Sequence, residues 1–211
     1  MIVIDNFIKD KNLLLEIESD FNFFPKSIGS GQYEGRFTFW NGWWDSPADN
    51  TRKKLIKAIW ENNLPIPIKD ISGFEYWIRT YANGESIPFH FDEDVLLYKQ
   101  EKIFQGSTIG CIYFPESNAG VVGGFLEIHK NKMEDGTFNS LERENIEPLV
   151  SSIEERERIA CKPNRLIIFD GGHNGHNSTP VINGNRIIFG VSIWHKDKTP
   201  RAVSSGKAYF E

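Results

Sequence analysis

The sequence predicts a mainly β domain with helices packed against its outside, and three observations lead there. Aromatic residues make up 13% of the chain, with 16 Phe and 6 Trp, and aromatic side chains favour sheets. From Phe74 onward the chain breaks into short apolar runs separated by turn residues, the pattern of a sandwich or barrel. Before that point two segments carry helical spacing. No repeat, low-complexity tract or linker divides them from the rest, so residues 1–211 read as one domain.

Taken in order, residues 2–8 read as a short strand. Asp10 is placed to cap a helix carrying Leu13, Leu14 and Ile17. FTFWNGWW, residues 37–44, reads as strand and turn. Ser46-Pro47-Ala48-Asp49 offers an N-cap serine, a proline at the first helical position and an acid three residues after the cap. That predicts a helix to about Asn62 burying Leu55, Ile56, Ile59 and Trp60, with Pro65 and Pro67 ending it. Strands are then expected at 74–82, 87–92, 107–114, 124–129, 158–162, 165–169 and 186–194. The stretches 93–106 and 130–147 read as loops, the second a polar insertion. Phe37, Phe39, Trp40, Trp43 and Trp44 could line a groove, but core or edge packing is the better reading.

Composition removes several classes. A net charge of −5 gives no support to a general nucleic-acid binder, which would usually show a basic face, and leaves a local basic patch open. Two cysteines, Cys111 and Cys161, make no disulfide framework, so a reducing, cytoplasmic compartment is expected. Asp5 interrupts what would have to be an apolar signal core, and no apolar run approaches the roughly 18 residues of a membrane span.

The chemistry-bearing residues begin with His90-Phe91-Asp92. In a strand, residues i and i+2 share a face, so this triplet aims an imidazole and a carboxylate into one space. With one distant histidine they would make the facial triad of a non-haem Fe(II) site. Alone, such a triplet is common, and a hydrogen-bonded surface histidine is its ordinary meaning. HNGHNSTPV, residues 173–181, supplies two candidates for the distant ligand, His173 and His176, after the buried run RLIIF. Arg186 opens the last long strand, where an inward guanidinium could pair with a carboxylate. His129 and His195 read as structural and solvated respectively.

Over residues 74–195 the chain resembles the Fe(II)- and 2-oxoglutarate-dependent oxygenases, in their prolyl-4-hydroxylase-like branch. The resemblance is carried by IRTYANGESIPFHFDED, STIGCIYF, GGFLEIH, KPNRLIIF, HNSTPVINGNR and a final Trp-bearing strand. It implies a double-stranded β-helix (jelly-roll, cupin-like) core with the N-terminal helices packed outside. In that branch the distal histidine stands four residues before the proline and about ten before the arginine. His176 fits both offsets, whereas His173 lies seven before Pro180 and thirteen before Arg186. The resemblance thus implies His90, Asp92 and His176 as iron ligands and Arg186 as the clamp on the distal carboxylate of 2-oxoglutarate. It implies Tyr113 as a hydroxyl donor to that carboxylate and Tyr81 as a contact at the cosubstrate's other end. Phe114-Pro115 departs from the family's usual Leu-Asn.

The activity implied is oxidative decarboxylation of 2-oxoglutarate coupled to hydroxylation, with ascorbate as a possible reductant and a prolyl residue of a peptide or protein as substrate. The competing readings are the same chemistry on a free amino acid, small molecule or nucleobase, and a catalytically silent β-barrel metal-binding module. Neither nucleic acid nor membrane is an expected partner. The loops at 93–106 and 130–147 together hold eight acids and five bases, which would make an acidic rim that repels an anionic strand.

Overall fold

The computed structural model describes residues 1–22, 38–64, 66–132, 156–201 and 209–210. Phe37, Pro65 and residues 133–147 of the expected insertion lie outside the described residues.

Local chemistry sets the first elements. Strand β1 is Ile2–Asp5, and helix α1 is Lys11–Asn22. Asp10 caps α1 as expected, its Oδ1 accepting from the Asn12 and Leu13 amides at 2.8 and 3.4 Å. Strand β2 is Thr38–Trp40. Helix α2, Thr51–Asn63, starts later than its sequence pattern suggests, because Asn50 and not Ser46 is the cap. Asn50 Oδ1 accepts from the Lys53 amide at 3.0 Å. The Ser46 hydroxyl is taken instead by Trp40 Nε1, at 2.8 Å. A third helix, α3, Val95–Glu101, lies in the expected 93–106 loop. At seven residues it is too short for an apolar period to show. Asp94 caps it, and Lys102 closes it at φ 60°.

The remaining strands are β3 (Ile71–Tyr81), β4 (Ile109–Phe114), β5 (Val122–Gly123), β6 (Leu126–Lys132), β7 (Arg156–Ile159), β8 (Arg165–Phe169), β9 (Asn174–Ser178), β10 (Val181–Asn183), β11 (Arg186–His195) and β12 (Tyr209–Phe210). The larger sheet runs β1-β8-β4-β11-β3-β2-β12; β7-β6-β9 form a second, and β10-β5 a short ladder. Pairing is antiparallel except between β12 and β2. The expected strand at 87–92 is absent: those residues meet β9 through the isolated bridge of His90 to His176 and through Ile87, which exchanges hydrogen bonds with Ser178. The expected 158–162 strand is displaced to Arg156–Ile159. The chain passes from β3 to the β9-paired segment, then β4, β6, β7, β8, β9 and β11, changing sheets along the way. Two facing sheets wound in this order are a double-stranded β-helix.

Strand parity divides the buried residues into two cores. On β11, Ile187, Phe189, Val191 and Ile193 point to one face. With Phe74, Tyr76, Ile78, Tyr113 and Ile168 they meet Ile17, Leu55, Ile56, Ile59 and Trp60 from the helices. Trp40 and Trp43 pack there too, against Phe74, and Phe39 is buried, so these three are core, whereas Trp44 is exposed. On the opposite face Ile188, Tyr81, Ile112, Phe114, Ile167 and Phe169 meet Leu126, Ile128 and Ile159 of the smaller sheet. The candidate site lies on this second face. Among the described residues, no helix is long and apolar enough to cross a membrane.

Candidate metal centre

His90 and His176 are joined by their backbones, each amide donating to the other's carbonyl at 2.9 Å. That reciprocal pair puts both side chains on one side of the bridge, with ring centroids 4.1 Å apart. Asp92 follows two residues later, its amide donating to Gly171 O at 2.9 Å. One ligand-type atom from each of His90, Asp92 and His176 lies within 4.8 Å of the others. His176 is buried and the other two are half-buried. The sequence reading had placed the triplet on a strand; the single bridge and the Gly171 contact do the same work.

The outer nitrogens decide what the rings offer. His90 Nδ1 lies 2.9 Å from Pro88 O, and His176 Nδ1 lies 3.1 Å from Asn174 O. A carbonyl only accepts, so each Nδ1 carries the proton and each Nε2 keeps its lone pair. Burial, and for His90 also the neighbouring His176, pushes both pKa values down to about 4. The imidazoles are therefore neutral at pH 7 and suited to a cation. Burial raises the Asp92 pKa, while His90 and a hydrogen bond from Ser192 oppose that rise. A bound cation would oppose it further. Phe169 closes one side, its ring edge-on to His176 at 4.9 Å.

Glycine makes room for the carboxylate. A Cβ on Gly171 would stand 2.2 Å from Asp92 Oδ2, well inside contact distance. The turn Asp170-Gly171-Gly172 therefore sets where Asp92 can point.

His173 stays outside this cluster. Its Nδ1 lies 2.8 Å from Asp170 Oδ1 in the same turn. His129 lies on the other face of the smaller sheet, with Nε2 3.3 Å from Asn177 Oδ1. His195 closes β11 and caps the turn that follows it.

Arg186 is fully buried, and among the described residues its three guanidinium nitrogens meet no nitrogen or oxygen acceptor, only the Cys161 thiol. It is held between the rings of Tyr81 and Phe114, at 5.3 and 5.5 Å. Gly124, at φ 61°, passes so close that a Cβ there would meet Arg186 Cδ at 2.7 Å. Burial lowers the Arg186 pKa, with the Cys161 thiol and Tyr81 opposing. The same burial pushes Cys161 up to about 11, so it faces Arg186 as a neutral thiol.

Tyr113 does not join this group. Phe189 pairs with Tyr113, and Gly190 with Ile112, so Ile112 and Phe114 share the face of Arg186 and Tyr113 takes the other. Its hydroxyl donates to Asn164 Oδ1 at 3.3 Å, beside Phe7. A one-residue difference on a strand reverses the side chain, and Phe114, without a hydroxyl, lies beside the guanidinium instead. Ser192, and any role at the site for Gly171 and Cys161, are not among the sequence-based expectations. Ser192 was recoverable, since it stands six residues from Arg186 and shares its face by parity.

No family model and no curated protein matches the chain. Among solved structures, a Pseudomonas putida prolyl-4-hydroxylase aligns at 12% identity over 92% of this chain and 87% of its own, with a TM-score of 0.49. The chain is similar to prolyl hydroxylases. One from Trichoplax adhaerens, in complex with a hypoxia inducible factor oxygen degradation domain peptide fragment, aligns at 14% identity over 96% of this chain and 86% of its own, with a TM-score of 0.47. A prolyl 4-hydroxylase from Phytophthora capsici aligns at 15% identity over 73% of this chain and 43% of its own, with a TM-score of 0.40. The fold itself rests on the strand order described above.

Proposed function

We propose that the protein is an Fe(II)- and 2-oxoglutarate-dependent dioxygenase that hydroxylates a prolyl residue in a peptide or protein. The observation that carries the reading is the His90–Asp92–His176 cluster on the same inner face as a buried arginine that has no acidic partner among the described residues. Two neutral imidazoles and one carboxylate are the donor set of a non-haem Fe(II) centre with open positions. A fully buried guanidinium is costly without an anion, and a carboxylate of 2-oxoglutarate is such an anion. Both groups fit the residues present.

When bound, iron and 2-oxoglutarate supply the oxidising chemistry, which consumes dioxygen and releases succinate and carbon dioxide. The chain supplies the rest. His90, Asp92 and His176 hold the metal, and the carbonyls of Pro88 and Asn174 keep the rings in the binding tautomer. Arg186 orients the cosubstrate through its distal carboxylate, backed by Tyr81 and Phe114. Ile112, Ile167 and Ile188 keep water from that charge.

A peptide substrate is favoured over nucleic acid by the net charge of −5, since an anionic strand would be repelled. The acidic rim expected from the loops is weaker than their sequence suggests. Asp94 is buried, capping α3 and accepting from the Arg201 amide. The test offers the iron- and 2-oxoglutarate-loaded protein a proline-containing peptide library and single-stranded oligonucleotides side by side. The expected result is a mass gain of one oxygen atom on peptides with matching succinate release. Oxidation of the oligonucleotides alone would overturn the substrate, and no succinate with any additive would overturn the chemistry.

A further inference from the structure

The outer face of the smaller sheet, behind the metal cluster, carries a polar network that the proposed chemistry does not use. Its centre is Glu127, on β6, with a side chain only 7% exposed. Arg158 donates to Glu127 Oε1 through Nε and Nη2 at 3.0 and 2.6 Å. Oε2 accepts from Asn177 Nδ2 at 2.9 Å and faces Arg156 Nη1 at 3.5 Å. Asn177 Oδ1 in turn lies 3.3 Å from His129 Nε2, and the His129 ring meets Phe89 edge-on at 5.0 Å. Phe89 also lies over Gly175, where a Cβ would meet its Cζ at 2.2 Å.

Position gives the network its meaning. Glu127 pairs with Asn177, and Ile128 with His176. Asn177 is the residue after His176, and Phe89 the residue before His90. In extended backbone, neighbours point to opposite faces. Each inward histidine therefore has an outward neighbour held by this network, and the two neighbours are linked to each other through His129. The segment that carries His90 meets β9 at the His90–His176 bridge and at Ile87, whose carbonyl accepts from the Ser178 amide at 3.0 Å and whose amide donates to Ser178 Oγ at 2.8 Å. That is less than a continuous ladder, so side chains add to what holds the segment in place.

We propose that Glu127 is a positioning residue for the metal cluster, setting the spacing of His90 and His176 through Asn177 and through His129 and Phe89. The proposal rests on the metal-centre reading above. Burial opposes the charge on Glu127, yet hydrogen bonds from Asn177 and Arg158 outweigh it and hold the carboxyl below its usual range. Glu127 is thus ionised and able to anchor its donors at neutral pH. A cavity of about 210 Å³, lined in part by Ser86, Pro88, Phe89, His129 and Arg156, lies against the network. A side chain truncated there leaves room for water and does not force the sheet to repack.

The test uses cobalt(II) alone as a spectroscopic probe of the full chain. Glu127→Ala should lower Co(II) affinity by about 10- to 100-fold, the usual effect of losing a group that orients metal ligands, and should change the visible bands that report coordination geometry. Asn177→Ala should do the same, and the double variant should lose little more than the worse single variant. Asp5→Asn, which breaks a comparable ion pair with Arg165 on the other sheet, should leave spectrum and affinity unchanged. Unaltered binding in Glu127→Ala, full additivity in the double variant, or an equal loss in Asp5→Asn would each overturn the proposal. A second readout needs no metal: the ring-nitrogen NMR signals of His90 and His176 should both shift in Glu127→Ala. If the unsubstituted protein binds no Co(II) while those signals still shift, the metal-centre reading fails and the positioning stands. If they do not shift, the positioning is overturned.

Discussion

His173 and His176 are three residues apart, yet their surroundings differ completely. His176 turns Nδ1 to a carbonyl and Nε2 toward Asp92, 3.7 Å away, whereas His173 is tied to Asp170 in a turn. His176→Ala and His90→Ala should each abolish Fe(II) binding at neutral pH, and His173→Ala should keep most of it, as anaerobic titration will show. Arg186 makes a sharper case, because its cation has no carboxylate partner among the described residues. Arg186→Ala should weaken 2-oxoglutarate binding by about 3–5 kcal/mol, roughly two to nearly four orders of magnitude, while the metal site still forms; calorimetry with metal-loaded protein reads both. Glu75 lies on the same face, its Oε2 accepting from Trp194 Nε1 at 3.3 Å. Burial first, then Asp92 and Asp94, raise its pKa from 4.5 to about 7. The folded state therefore holds a proton that the unfolded chain has released. That contribution is intact below pH 4.5 and is lost as pH rises toward 7. Metal-free protein should lose up to about 3 kcal/mol across this window, and Glu75→Gln should remove that slope in urea unfolding.

Strands and turns convert these side chains into a site. Parity on β11 sends Arg186 and Ser192 inward and Phe189 outward, and the register with β4 carries that choice to Phe114 and Tyr113. The turn after β8 is as decisive. Its Gly171 carbonyl receives the Asp92 amide, and its missing Cβ is the space that Asp92 Oδ2 occupies. Gly171→Ala should leave the circular dichroism spectrum native and lower metal affinity at least tenfold. Unchanged affinity would mean that the carboxylate can point elsewhere and still bind. Helices α1 and α2 are remote from the chemistry. They cover the far face of the larger sheet, where Ile17, Leu55, Ile56 and Ile59 are buried almost completely.

The fold as a whole is expected to stand without the proposed metal. Two apolar cores flank the larger sheet, and among the described residues three side chains converge on the proposed ion. A ligand present at 100 times its Kd stabilises by about 2.7 kcal/mol. Chelation should therefore lower the melting midpoint by roughly 5–10 °C and leave a cooperative transition, measurable by calorimetry. Loss of the transition altogether would show that the inner core cannot stand without the ion. What the sequence determined by itself was local or periodic: the Asp10 cap, the apolar runs of β8 and β11, and the presence of His90, Asp92, His176 and Arg186. These follow from propensities, alternation and spacing, which act between near neighbours. The tertiary structure alone decided that residues 87–92 would form no strand and be held at Ile87, His90 and Asp92, that Tyr113 would face the helices, and that Glu127 would gather Arg158 and Asn177 behind the histidines. Those outcomes depend on which strand lies beside which and in what register, and a register is settled by packing between residues far apart in the chain.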